Sequence, residues 1–248
     1  MNKKILLIIS FIWLLSFNAV LASPIDRFVG EKFTYKITWF GIYAGDAYLS
    51  FKKIPVKGKL VFYFKAKLNS ARWFSSIYYV EDVVTSVVDA ETMKPLEIKV
   101  DYKEGKHYTR NAQYIFDYKN NKIRVKGDPK LTELNLRKDF IGMFVGFFLL
   151  RNNNFLETSA FSKIVHDGRK RYKLTASLLR KENISTIFGN KECLIINPGS
   201  IKADLLGKSQ KPRELEVYLT NDAAKIPVLA VGEIKIGSIK VTLKKYKK

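Results

Sequence analysis

Few side chains in this sequence could carry covalent or acid–base chemistry. There is one cysteine, Cys193, and there are two histidines, His107 and His166. A thiol becomes a nucleophile where a neighbouring base or positive charge favours the thiolate. Cys193 instead follows Glu192 and precedes Leu194-Ile195, a setting that predicts a buried, inert thiol. His107 follows the turn residues Glu104-Gly105 and His166 precedes Asp167-Gly168, so both are expected at the surface beside turns. Either could still act as a general base. Glu81-Asp82 is the most obvious carboxylate pair, but adjacent residues of a strand point to opposite faces, which suits them poorly to shared acid/base work. No Gly-x-Ser-x-Gly elbow, Gly-rich phosphate loop or His-Glu-x-x-His signature occurs. A single cysteine excludes a multi-cysteine zinc or iron–sulfur site. No catalytic residue, metal or cofactor is therefore assigned.

The elements that would hold such residues are strands. In Lys32–Phe40, Phe33, Tyr35, Ile37 and Trp39 share one face and Thr34, Lys36 and Thr38 the other, the period of two of a half-buried strand. Gly41–Gly45 reads as a turn, after which Ala47, Leu49 and Phe51 resume the alternation. Lys57-Gly58-Lys59 turns into Leu60–Leu68, with Phe62 and Phe64 on one face. Val80–Asp89, Leu96–Tyr102, His107–Tyr118 and Ile123–Lys126 follow, punctuated by Glu104-Gly105 and Asn120-Asn121. Ser159–Val165, Arg171–Leu179, Lys191–Ile196, Glu214–Leu219, Val228–Ile236 and Ile239–Lys245 complete the series. Gly237, where the apolar set shifts parity, predicts a β-bulge. No βαβ rhythm is present. The fold class is mainly β: one large curled antiparallel sheet, an open barrel or a sandwich, with one or two short helices.

One segment breaks the alternation. Phe140–Leu150 has no charge in eleven residues, with Asp139 before it to cap or pair with a first turn and Arg151 after it. It is too short to span a bilayer. As a helix it suits either a plug buried in the concave face of the sheet or a movable lid or membrane-docking surface, and its two glycines favour mobility.

Residues 1–22 have the layout of a secretory leader. Asn2-Lys3-Lys4 precedes the apolar run Ile5–Leu15, and small residues lead to a cleavage point after Ala22. Ser23 stands where a lipoprotein would need its acylated cysteine, so a periplasmic protein with no span after cleavage is expected, one domain over 23–248 with a candidate seam near 127–157. The chain carries 44 Lys+Arg against 23 Asp+Glu, a formal charge of +21. Inside a cell such a balance would suggest nucleic acid. Outside the inner membrane it suggests an anionic or amphiphilic component of the envelope, or lysine used for solubility alone.

Several segments recur in a familiar order. Gly30-Glu31 with an aromatic strand, Gly41-Ile42-Tyr43-Ala44-Gly45, Trp73-Phe74, Tyr78-x-x-x-Asp82 and Val88-Asp89-x-x-Thr92-x-x-Pro95 form the first blocks. Phe116-Asp117, Leu150-Arg151, Phe188-Gly189, Leu219-x-x-Asp222 and Ile226-Pro227-Val228 follow. Together they resemble the bacterial exported family catalogued as domain of unknown function 3108. The resemblance implies a periplasmic, mostly β protein. It supplies no catalytic residue, and it argues against use of the glycosylation sequon Asn183-Ile184-Ser185.

Binding is then the most economical reading. A curled sheet closed by an apolar helix encloses a greasy concavity. Tyr35, Trp39, Phe62, Phe64, Phe144, Phe147 and Phe148 are the candidate lining residues, with rim lysines to meet an anionic head group. The expected function is an amphiphile or lipid carrier or chaperone at the envelope, architecturally similar to lipoprotein-carrier half-barrels. An envelope scaffold and a hydrolase of envelope polymers are the alternatives.

Overall fold

The structure, a computed structural model, describes residues 23–137, 139–158, 160–202, 215–234 and 237–248. The expected leader lies outside the described residues. Fifteen strands form one sheet. The first eight are β1 (Lys32–Trp39), β2 (Ile42–Val56), β3 (Lys59–Ser70), β4 (Val80–Asp89), β5 (Pro95–Glu104), β6 (Tyr108–Asp117), β7 (Lys122–Lys126) and β8 (Glu133–Asn135). After β9 (Ile141–Gly142) and a helix, α1 (Met143–Asn152), come β10 (Ala160–His166), β11 (Arg171–Thr186) and β12 (Gly189–Lys202). The chain ends with β13 (Leu215–Thr220), β14 (Pro227–Ile234) and β15 (Gly237–Lys247).

The sheet order is β8 to β1 in reverse, then β15 down to β9. Each strand from β1 to β8 therefore pairs with its sequence neighbours, and the first and last strands meet where β1 runs antiparallel to β15. The β9–β10 pair is parallel, so the sheet is mixed where alternation alone predicts antiparallel pairing throughout. The sheet does not close, and β8 and β9 are its edges. Five residues separate them in sequence, which limits the gap between Asn135 and Ile141 to about 20 Å. Side chains span it: the Phe140 ring lies 6.0 Å from Phe116 of β6 and 4.8 Å from His166 of β10.

Alternation was a good guide to strands and a poorer one to their ends. The chain turns at Phe40-Gly41 alone, where φ is +47° and +81°, so Ile42–Gly45 belongs to β2 rather than to a five-residue turn. Gly237 opens β15 opposite Ile234, at the end of a hairpin and not in a bulge. The Arg171–Leu179 strand continues to Thr186, because a register shift between Leu178 and Arg180 lets the ladder run on through exposed charged residues that show no apolar period.

The helix is a plug. Val145, Gly146, Phe148, Leu150 and Arg151 are buried, and a helix that is apolar on every side has no face to give to solvent. Its first residue is Met143, three later than the start of the uncharged run. Phe140 instead packs with Tyr114, Phe116, Ile123 and Val125. Asp139 does not cap the helix, and pairs with Arg171 at 3.0 Å. Gly146 serves close approach rather than mobility: a Cβ there would fall 2.6 Å from Cγ1 of Val165. Phe148 completes an aromatic core with Phe28, Phe51, Phe62 and Phe64.

Candidate ligand-binding site

Above α1 the interior is hollow. A cavity of about 640 Å³ lies between the helix and the inner faces of strands on both sides of the β1–β15 junction. Its floor is one stripe of α1, Met143, Phe144, Phe147 and Leu150, the spacing that places side chains together on a helix. Ala47, Leu49, Ala66, Leu68 and Val84 form one wall, and Leu174, Ile196, Pro198 and Val217 the other. Small residues at 47 and 66 leave the space that larger side chains fill in the core, where Phe51 and Phe64 stand on the same two strands.

Polar groups are few. The Tyr35 hydroxyl reaches the lining but donates to the Pro227 carbonyl at 3.1 Å, and burial holds this phenol well above its usual range. Lys67 and Tyr48 contribute to the wall between inward-facing neighbours, so alternation turns their side chains outward. Asp82 and Tyr102, directly opposite each other on β4 and β5, are the remaining polar members. Burial, with Glu104 adding to it, pushes the Asp82 carboxyl up to about 6.

Asp82 sits two residues from one end of β4, and Leu68 and Tyr102 two residues from the adjoining ends of β3 and β5. That end carries exposed rings: Phe40 and Tyr43 at the β1–β2 hairpin, Trp73, Tyr78 and Tyr79 between β3 and β4, and Tyr108 opening β6. The tips hold one another, with Trp73 Nε1 donating to the Tyr43 carbonyl at 2.6 Å and the Gly105 amide to that of Tyr79 at 2.8 Å.

The lining residues expected from sequence separate into groups. Tyr35, Phe144 and Phe147 line the cavity. Phe62, Phe64 and Phe148 are fully buried in the adjoining core. Trp39 is half-buried against Phe40 and Phe74 at the aromatic rim. Sequence reasoning weighed Asp82 only as half of a poor acid/base pair with Glu81 and not as a lining residue, although its parity with Val84, Ser86 and Val88 places it on the inward face of β4.

The other reactive residues lie elsewhere. Cys193 is buried beside Phe33, Ile195 and Tyr218, and burial raises its thiol to about 11. His107 is exposed. His166, expected at the surface, is buried instead, because Phe116 and Phe140 cover it where the sheet edges approach. Its Nδ1 accepts the Gly168 amide at 2.9 Å, and burial lowers its pKa to about 4.

A buried neutral imidazole makes stability depend on pH. The unfolded chain takes up a proton below about 6.5 and the folded chain only near 4. Stability present above 6.5 is therefore lost as pH falls through that window, on the order of 3 kcal/mol in all. Asp82 acts in the opposite sense, since its raised pKa adds stability at low pH that disappears as pH rises through about 6. Denaturation midpoints measured from pH 4 to 7 should show a flatter acid limb for His166→Asn and a steeper one for Asp82→Asn. Parallel curves for all three proteins would remove both groups from the account.

A family model described as protein of unknown function (DUF3108) matches residues 34–244. The chain belongs to this family. No curated protein matches it. Among solved structures, this DUF3108 chain is similar to a β-barrel-like protein of domain of unknown function DUF1849 from Brucella abortus. The two share 12% identity at a TM-score of 0.57, over 88% of this chain and 97% of that one. A candidate lipoprotein from Parabacteroides distasonis aligns at 11% identity and a TM-score of 0.37, over 91% and 99% of the two chains. A candidate exported protein of YmcC-like fold from Bacteroides fragilis aligns at 8% and 0.36, over 89% and 96%. The first likeness supports the barrel-like fold of the DUF3108 chain. Among its described residues, no helix is long and apolar enough to cross a membrane.

Proposed function

We propose that this protein is a periplasmic carrier or chaperone that holds the apolar part of an amphiphile in the cavity above α1. One observation carries the reading: about 640 Å³ of space walled almost wholly by aliphatic and aromatic side chains. That size is ordinary for small-molecule sites, and an apolar hollow of such volume is costly to leave to water. The exposed aromatic rim beside it suits exchange with other apolar surfaces, since Tyr and Trp tolerate contact with both water and hydrocarbon. In this reading the leader delivers the chain across the inner membrane and is removed after Ala22, leaving a basic surface among anionic envelope components.

The test is to express the full chain with its leader, recover it from the periplasm, and examine it by native mass spectrometry and solvent extraction. The expected result is an N-terminus at Ser23 and a co-purifying amphiphile of defined mass that organic solvent removes. A ligand-free protein that also fails to take up a neutral apolar fluorophore would overturn the carrier reading.

A further inference from the structure

The inner face of the cavity carries an uncompensated negative site in an otherwise basic protein. Several acidic side chains here have a basic partner: Glu81 has Lys103, Asp117 has Arg124, Glu133 has Lys122 and Glu216 has Arg180. Among the described residues neither Asp82 nor Glu104 has one. Asp82 accepts the Lys103 amide at 3.2 Å and lies within side-chain hydrogen-bonding reach of Glu104, with which it can share a proton. Glu104, two residues beyond Tyr102 on the same face of β5, accepts the Tyr78 hydroxyl at 3.0 Å. Each carboxylate keeps acceptor capacity to spare. Asp82 lines the apolar cavity and Glu104 stands beside it, so the two acids put negative charge where a ligand held in the cavity would meet it, with no basic side chain paired to either.

We infer that the cavity selects an amphiphile with a cationic, hydrogen-bond-donating head, an alkylammonium in its simplest form, seated on Asp82 and Glu104. This rests on the carrier reading above and reverses the head-group charge expected from the sequence. Rim lysines were to meet an anionic head, but Lys67 is turned outward from the cavity wall and Lys103 is engaged with Glu81. A phosphate or carboxylate would face two carboxylates at short range, and like charges near low-dielectric walls repel strongly.

The charged and titratable groups around Asp82 are known on each neighbouring element. They are Lys67 on β3, Glu81 on its own strand, Asp101, Tyr102, Lys103 and Glu104 on β5, and Tyr78 in the β3–β4 connection. Beyond Tyr102, Arg110 of β6 is occupied by the Tyr114 hydroxyl and by Asp128 at 3.7 Å. Burial and Glu104 together keep Asp82 protonated up to about pH 6. A bound cation favours the ionised form, so its affinity should fall as pH drops through 6, whereas a neutral head should show no such change.

Displacement of the neutral fluorophore N-phenyl-1-naphthylamine by decylammonium, decanol and decanoate tests this on the mature protein. At pH 7.5 decylammonium should displace the probe at a concentration about tenfold below that of decanoate, a ratio equivalent to roughly 1.4 kcal/mol. The ratio should shrink toward unity at pH 5, and in Asp82→Asn at pH 7.5, with decanol unchanged by either. Glu104→Gln should reduce it partway. Decanoate binding as tightly as decylammonium, or a ratio that Asp82→Asn does not alter, would overturn head-group selection while leaving the carrier reading intact. Failure of the probe and all three decyl compounds to bind would overturn both.

Discussion

Replacing Arg151 by Met should cost about 3–5 kcal/mol, a large share of the 5–15 kcal/mol that holds an ordinary domain folded. Arg151 and Glu31 are almost wholly inaccessible to solvent and pair through two hydrogen bonds, Nη1 to Oε2 at 2.6 Å and Nη2 to Oε1 at 3.1 Å. The guanidinium spends its other donors on backbone carbonyls, Nε on Lys225 at 3.0 Å and Nη2 on Ala224 at 2.9 Å. Phe28 stacks over it at 4.3 Å, and the Tyr246 hydroxyl donates to Glu31 at 3.0 Å. One cluster thus fastens the end of α1, the entry to β1, the β13–β14 turn and the end of β15. Removing the arginine leaves a buried carboxylate with one donor and two carbonyls with none, which is the expensive way to break an ion pair. At 2–4 °C per kcal/mol for a chain of this size, melting should fall by roughly 6–20 °C. Arg151→Lys should lie between, since an ammonium keeps the charge but loses the planar fork. The double variant Arg151→Met with Glu31→Leu should recover much of the loss, and the cycle should give a coupling of at least about 1 kcal/mol. A single-variant loss below about 1 kcal/mol in urea denaturation would mean that water reaches the pair.

That cluster brings together several of the recognisable segments of the sequence. Gly30-Glu31, Leu150-Arg151, Leu219-x-x-Asp222 and Ile226-Pro227-Val228 are far apart in the chain and read singly as turn and strand residues. In the fold, Glu31 and Arg151 meet, and Asp222 holds the turn that presents the carbonyls of Ala224 and Lys225, accepting both of their amides at 2.9 and 3.1 Å. Asp89 does similar work between β4 and β5 by accepting the Thr92 amide at 2.7 Å. Local rules reach such turns, as they reach Lys57-Gly58, Asn121 and Gly105, because positive φ has a composition. They do not reach a buried ion pair 120 residues apart in sequence, since a lone arginine after an apolar run looks the same whether it faces water or a carboxylate. The strands were legible from parity, whereas the meeting of β1 with β15 and the approach of the two edges around Phe140 depend on contacts with no local trace. His166 was misplaced for that reason: its covering rings come from β6 and from the segment before β9.

Parity also explains the mixed outcome at the site. An aromatic on an inward face is the same object to a periodicity argument whether it lines a hollow or fills a core. Phe64 and Phe144 stack at 5.5 Å, yet the first is sealed in the core and the second reaches the cavity. The difference comes from what stands opposite. Phe51 packs on Phe64 at 4.4 Å, while toward the rim the facing residues shrink to Ala47 and Ala66. A carboxylate on the inward face was the stronger clue, because a polar group there requires a partner or a use.

Exchanging Ala66 for Phe should therefore separate hollow from core more cleanly than any truncation. Ala66 is paired with Leu49 and Val84 on the inward face and borders the cavity. A ring built there enters space that is already present, so the denaturation midpoint should hold or rise. Affinity for a neutral apolar fluorophore should fall at least about tenfold, because the ring competes for the walls that the ligand would cover. Phe64→Ala provides the opposing case. It removes a ring packed against Phe51, Phe62, Phe144 and Phe148, and should cost about 3–5 kcal/mol, the range for Phe to Ala in a sealed core. Phe147→Ala, on a ring only half-buried at the floor of the hollow, should cost no more than about 2 kcal/mol and widen the cavity. A loss of stability in Ala66→Phe comparable to that in Phe64→Ala would mean that the space collapses in solution. Its walls would then belong to the core, and the exposed rim would have no cavity to serve.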